Sequence, residues 1–340
     1  MGLLSATYSG TGPDGQSVTW RDGKRLGWLL SVVYPLMPLF GVALHAWTGQ
    51  PIALALPLIT GYVLMPLLDA LIGEDLNNPP EAVVPQLEAD RYYRWLTWAT
   101  VPLYFVTLIG CAWWAGTQAL PWWALAVLAY VAGTNSGMGL TTGHELGHKH
   151  NATEQWLARL ILAVPAYGHF TVEHGRGHHR WVSTPEDHAS ARMGESIYRF
   201  ALRELPGGIR RAWQLESQRL SSLGFSAWSP RNTMLQSYAM TAVLQLGLLI
   251  AFGPVMIAFL AVHNLVACWQ LTSANYVEHY GLLRVRMPNG QYEAPQPHHS
   301  WNTNHLVTNL ALFHLQRHSD HHANPSRRYQ SLRHFAEVPQ

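Results

Sequence analysis

The chain has 340 residues, of which 22 are Lys or Arg and 20 are Asp or Glu, a charged share of 12%. An ordinary soluble chain carries roughly 25%, and the 48% hydrophobic content excludes a disordered, collagen-like or disulfide-stapled protein. Cys111 and Cys268 are the only cysteines, so there is no disulfide framework and no Cys-based metal site. With a net charge of +2, no nucleic-acid partner is expected.

The charges are unevenly placed. Residues 1–25 are polar and Gly-rich, and 26–68 then carry no charge at all. A crossing helix needs about 20 apolar residues, so this block accommodates two, near 26–47 and 52–72, around the turn Gly49-Gln50-Pro51. Its prolines would end a soluble helix, but neighbouring spans can satisfy freed carbonyls. Residues 69–94 are polar and acidic. A second uncharged block, 95–143, reads as spans 95–116 and 122–143, and a third, 232–277, as spans 234–252 and 255–277. The expected fold is all-α and integral to the membrane: one domain over 1–340, with six transmembrane helices as three hairpins. A hairpin returns to the side it left, so 144–231 and 278–340 form a single cap. All Lys and Arg lie on that side, which the positive-inside rule makes cytoplasmic, together with both termini. Trp113, Trp114, Trp122 and Trp123 read as an interface belt at an outer turn. Within the cap, 198–223 alternate apolar and basic positions, broken by Pro206-Gly207-Gly208, and read as interfacial helices on the headgroups of membrane lipid.

Histidine is the second anomaly, at 19 residues, only two of which, His45 and His263, lie in the uncharged blocks. HELGHK at 144–149 places His144 and His148 at i and i+4, on one helix face. EHGRGHH at 173–179 repeats that spacing with His174 and His178 and adds His179. His279 follows the last span, and HSDHH presents His318, His321 and His322. On its own, HELGH suggests a zinc protease with Glu145 as base. A catalytic zinc takes three protein ligands, however, and nine imidazoles suit two ions of four or five ligands each. Imidazole alone leaves the metal open; an oxygen-activating pair of irons fits best. Metal-bound imidazoles usually give their outer N–H to a carboxylate or carbonyl, and Glu145, Glu173, Asp187, Glu278 and Asp320 stand ready beside them. His150, His169, His188, His305, His314 and His334 read as bystanders, and His298-His299 as neighbours of the site.

HELGHK, EHGRGHH, NYVEHYGL and LQRHSDHHA together resemble the four motifs of the membrane-bound alkane 1-monooxygenases, within the histidine-rich di-iron group that includes xylene monooxygenase and the membrane desaturases. GEDLNNPPE, ARMGESIY, LTSANY and PHHSWNTNH extend the similarity from about residue 26 to 335. The resemblance implies six spans, two iron ions on the nine named histidines, and use of O2 to hydroxylate the terminal methyl of an n-alkane. It also implies electrons from rubredoxin, itself reduced by an NADH-dependent rubredoxin reductase, and an inner-membrane location. His188 departs from the family, which has proline there. Leu140, Thr141 and Gly143, just below His144, are expected to line the substrate channel, and the bases of 192–219 with Arg327, Arg328 and Arg333 to dock an acidic electron carrier, unless they face anionic lipid. A fatty-acyl desaturase or another hydrocarbon hydroxylase, of the xylene type, on the same scaffold is the alternative reading.

Overall fold

The structure is a computed structural model that describes residues 5–340. The chain opens with an antiparallel hairpin, β1 (Ala6–Thr11) and β2 (Ser17–Asp22). The expectation of an all-α fold is corrected here. Alternation of buried Ala6 and Tyr8 with exposed neighbours gives β1 one inward face, and Tyr8 packs with Trp28, Val83, Leu87, Tyr93 and Tyr329 in a core of its own. Arg25, buried beside it, donates to Asp90 at 2.7 Å.

Among the described residues, five helices are long and apolar enough to cross a membrane: α1 (Gly27–Thr48), α2 (Pro51–Ile72), α3 (Arg91–Thr117), α9 (Thr233–Phe252) and α10 (Val255–Glu278). They expose large apolar side chains that water would not tolerate in such number, among them Phe40, Ile59, Val63, Leu71, Val243, Ile250 and Leu265. The chain is an integral membrane protein. Side chains place the starts of α3 and α9: Asp90 accepts from Tyr92 N, and Asn232 from Met234 N and Leu235 N. The prolines of α1 are accommodated by its neighbours, since Thr107 and Asn135 both donate to the Pro35 carbonyl, at 2.8 and 3.1 Å.

The expected span 122–143 is divided. Helix α4 (Trp122–Met138) stops at Gly139, and a separate helix, α5 (Leu140–Gly147), carries on into the cap. A Cβ at Gly133 would lie 2.6 Å from the His263 carbonyl oxygen, and one at Gly137 equally close to Gln270 Cβ. These glycines let α4 lie directly against α10. His263, inside α10, bonds Ser136 Oγ of α4 at 2.8 Å, and His45 accepts from Trp114 Nε1. Both intramembrane histidines serve helix contacts.

The cap is helical as well: α6 (Ala152–Ala163), α7 (170–181), α8 (Ile197–Ser222), α11 (Leu306–Ala311) and α12 (His318–Ala323). The break expected at Pro206 is absent. Helix α8 runs unbroken through it, because a continuous buried face (Phe200, Ala201, Glu204, Gly207, Gly208, Ala212) holds it to the cap and overrides local propensity. Its opposite side leaves Tyr198 and Leu202 more than 70% exposed, so only part of the helix has the surface character expected of it.

Candidate metal centre

Four segments meet where the cap closes over the helix ends. His144 stands in α5 and His148 caps it; α7 brings His174, His178 and His179; His279 caps α10; and α12 brings His318, His321 and His322. The spacing in EHGRGHH predicts that His174 and His178 share a face. Their rings do stack, with centroids 5.0 Å apart, but they do not join the same group of donors. His174–His178 form a π turn, and its wider winding lets Nε2 of His179, five residues on, meet Nε2 of His174 at 3.1 Å.

The nine imidazoles sort into two groups. His144, His148, His174, His179 and His321 form one and His178, His279, His318 and His322 the other; within each, one ligand atom per residue lies within 4.8 Å of all the rest. In the first group, Nε2 of His144 and of His321 are 2.7 Å apart, His179 and His174 3.1 Å, and His321 and His179 3.1 Å. In the second, His322 and His318 are 2.9 Å apart, His279 and His318 3.2 Å, and His178 and His322 3.3 Å. Two imidazole–metal bonds of about 2.1 Å, meeting at right or tetrahedral angles, separate their donors by about 3.0–3.4 Å. His148 Nε2 is buried with no partner at all. Converging, buried, unprotonated nitrogens repel unless a cation lies among them, so the donor set fits a metal in each group.

Burial first, then the neighbouring imidazoles, hold His148, His174, His179, His318, His321 and His322 well below the usual histidine range. They are neutral, the form that ligates. His178 moves the other way. Burial lowers it, but the Asp187 carboxylate outweighs burial and raises it, while Asp187 itself is held low by His178 and Arg211.

The five expected carboxylates have different places. Asp187 Oδ2 accepts from the outer Nδ1 of His178 at 2.8 Å and from Ser190 Oγ, while its Oδ1 accepts from Arg211. Glu173 bonds Arg211 rather than an imidazole. Glu145 pairs with Lys149 at 3.1 Å, and Asp320 accepts from Arg333 and Asn324. Glu278 lies against an inward nitrogen, Nε2 of His318, at 3.4 Å. His279 gives its Nδ1–H to the His299 carbonyl at 3.0 Å, so His299 serves the site through its backbone. His314, one turn before His318, instead donates Nδ1–H to the Tyr329 carbonyl and packs on Trp28. Arg211 and Phe170, whose ring stacks on His174 at 4.7 Å, had no signal in the sequence. Arg211 lay in a stretch whose bases read as facing lipid or a partner.

A cavity of about 530 Å³ opens beneath the imidazoles. His144, His174 and His318 form part of its wall, with Leu140, Thr141, Phe170, Leu271, Ala274, Leu312 and Leu315. Leu140 and Thr141 thus face it. Gly143 does not; it lies against α6, where a Cβ would meet Leu162 Cγ at 3.0 Å.

Residues 121–338 match the family model described as fatty acid desaturase. An alkane 1-monooxygenase of Alcanivorax borkumensis is 54% identical, over 96% of this chain and 81% of its own length. Those of Pseudomonas putida and Ectopseudomonas oleovorans are 55% and 54% identical, over 94% of this chain and 79% of theirs. The chain belongs to the alkane 1-monooxygenase family. All nine imidazoles of this family member lie inside the region matched by the desaturase model.

The three arginines expected to dock a carrier are engaged within the chain. Arg327 pairs with Glu81 at 2.6 Å, Arg328 with Glu154 at 3.0 Å, and Arg333 with Asp320 at 2.7 Å. Arg176 is exposed but is likewise engaged, pairing with Glu216 at 2.9 Å, whereas Arg180, next to half-buried His179, is exposed.

Proposed function

We propose that this family member hydroxylates the terminal carbon of an n-alkane, consuming O2, two electrons and two protons and releasing a primary alcohol and water. What carries the reading is the apolar cavity that ends on His144 and His174 of one imidazole group and His318 of the other. The two groups would hold two irons through His144, His148, His174, His179 and His321, and through His178, His279, His318 and His322. When bound, iron supplies the oxygen-activating chemistry. The chain's own residues do the rest. Leu140, Thr141, Leu271, Leu312 and Leu315 hold an apolar chain by shape and exclude water, so one end is presented to the imidazoles. Asp187 and the His299 carbonyl fix the His178 and His279 rings.

The remaining assignments belong to the same proposal. Helix α4 serves as a sixth span, so that all polar segments share the cytoplasmic side of an inner membrane. Protease protection in vesicles of known orientation tests this, and opposite exposure of the two ends would sink it. Two cysteines, one buried and one half-buried, cannot hold an iron–sulfur centre, so electrons come from a soluble carrier, rubredoxin. Its docking face includes Arg180, next to His179. Purified protein supplied with iron, reduced rubredoxin, O2 and n-octane tests the function. 1-Octanol with about two irons per chain is expected; an alkene without alcohol would select desaturation, and one zinc with no oxygen uptake would overturn the reading.

A further inference from the structure

The two imidazole groups are unequal, five donors against four. The shortfall is on the side of the second group that borders the cavity. Glu278 ends α10 there, and it lines the cavity together with His318. Its Oε2 lies 3.4 Å from His318 Nε2. That nitrogen is the one that meets His279 and His322, at 3.2 and 2.9 Å. The other carboxylate paired with a ligand of this group, Asp187, approaches His178 from behind, at Nδ1. Among the described residues, no Lys or Arg forms an ion pair with Glu278, and its partner is instead an inward-facing, neutral imidazole. The distance to His318 matches that between donors sharing one ion, although the carboxylate as placed is not within 4.8 Å of all four imidazole donors and would complete the set by a side-chain rotation; the backbone is fixed because the Glu278 carbonyl accepts from Trp301 N at 2.8 Å.

We propose that Glu278 is a ligand, the fifth donor to the metal held by His178, His279, His318 and His322. This rests on the two-metal reading of the centre. A carboxylate shut away without a cationic partner is costly, and a divalent ion on four neutral imidazoles keeps its whole charge. Each resolves the other. The two metal positions then differ in kind: five neutral nitrogens in one, four nitrogens and an anionic oxygen in the other. The anionic donor also stands on the cavity side, where it limits which coordination positions face the substrate.

Titration of metal-free protein with Co(II), followed by its visible spectrum and binding isotherm, tests the assignment without turnover. The native chain should bind two equivalents with distinct spectra. Glu278→Gln, nearly the same shape, should weaken one equivalent by at least about tenfold and change its spectrum, leaving the other as an internal check of folding. Glu278→Asp should recover part of the affinity. Two equivalents bound to Glu278→Gln with native affinity and spectra would overturn the proposal, as would equal loss of both sites in Glu278→Gln and Glu278→Asp. A native chain that binds fewer than two equivalents would instead overturn the two-metal reading.

Discussion

Asp187 shows how much at this site depends on one atom pair. Its Oδ2 takes the outer proton of His178 and thereby fixes which nitrogen faces inward. Asp187→Asn keeps the shape but removes the charge, and should lower metal affinity by about 10–100-fold; metal content after dialysis against a chelator measures it. Proximity in sequence located the carboxylates without assigning their partners. Five acids beside histidines looked equivalent, yet Glu145 and Glu173 turn to Lys149 and Arg211. An acid next to a ligand in sequence follows its own rotamer, and a strong cation nearby competes for it.

At the scale of elements, the π turn of α7 decides which histidine joins which group. HELGH and HSDHH obey helical spacing, as His318 and His322 do at i and i+4. In EHGRGHH the same spacing misleads, because a five-residue turn replaces the four-residue one. Deleting Gly175 should restore α geometry, put His179 at i+4 of His174 and draw His178 off the second group, so that metal uptake falls. Gly175→Ala should leave uptake unchanged, since a Cβ there meets nothing within 4 Å. Metal analysis of the two purified variants separates them; equal metal content in the deletion would count against the role of the turn. The division of the fourth expected span at Gly139 was equally hidden from the sequence. Uncharged composition runs straight through 122–143, and composition carries no information about where a helix bends.

For the whole molecule, the cavity and the ion pairs of the cap set the expectations. Thr141→Phe should fill part of the 530 Å³ space and shift preference to shorter alkanes, read as the ratio of alcohols formed from a mixture of chain lengths. An unshifted ratio would place the substrate elsewhere. Arg328 spans from the C-terminal segment to Glu154 of α6, which is fully buried. Arg328→Ala leaves that carboxylate without its closest partner and should destabilise the cap by about 3–5 kcal/mol, seen as a lower Tm in detergent. A surface docking residue would leave Tm unchanged and alter only the salt dependence of turnover, the outcome expected for Arg180→Ala.

The membrane character, the helical spans and the nine histidines were legible because each depends on composition or on spacing of a few residues. Lipid demands uninterrupted apolar helices, and a metal demands crowded imidazoles, so both leave local traces. The N-terminal hairpin was not legible: six-residue polar strands gain their stability from one inward face against Trp28, Val83 and Tyr329, contacts up to 321 residues away in the chain (Tyr8 to Tyr329). The same holds for the division into five and four imidazoles, for the place of Glu278 beside His318 and for the internal pairing of Arg327, Arg328 and Arg333. These are set by how distant segments dock and how side chains turn once docked, and no local pattern encodes a distance between residues 144 and 321 or between 178 and 322.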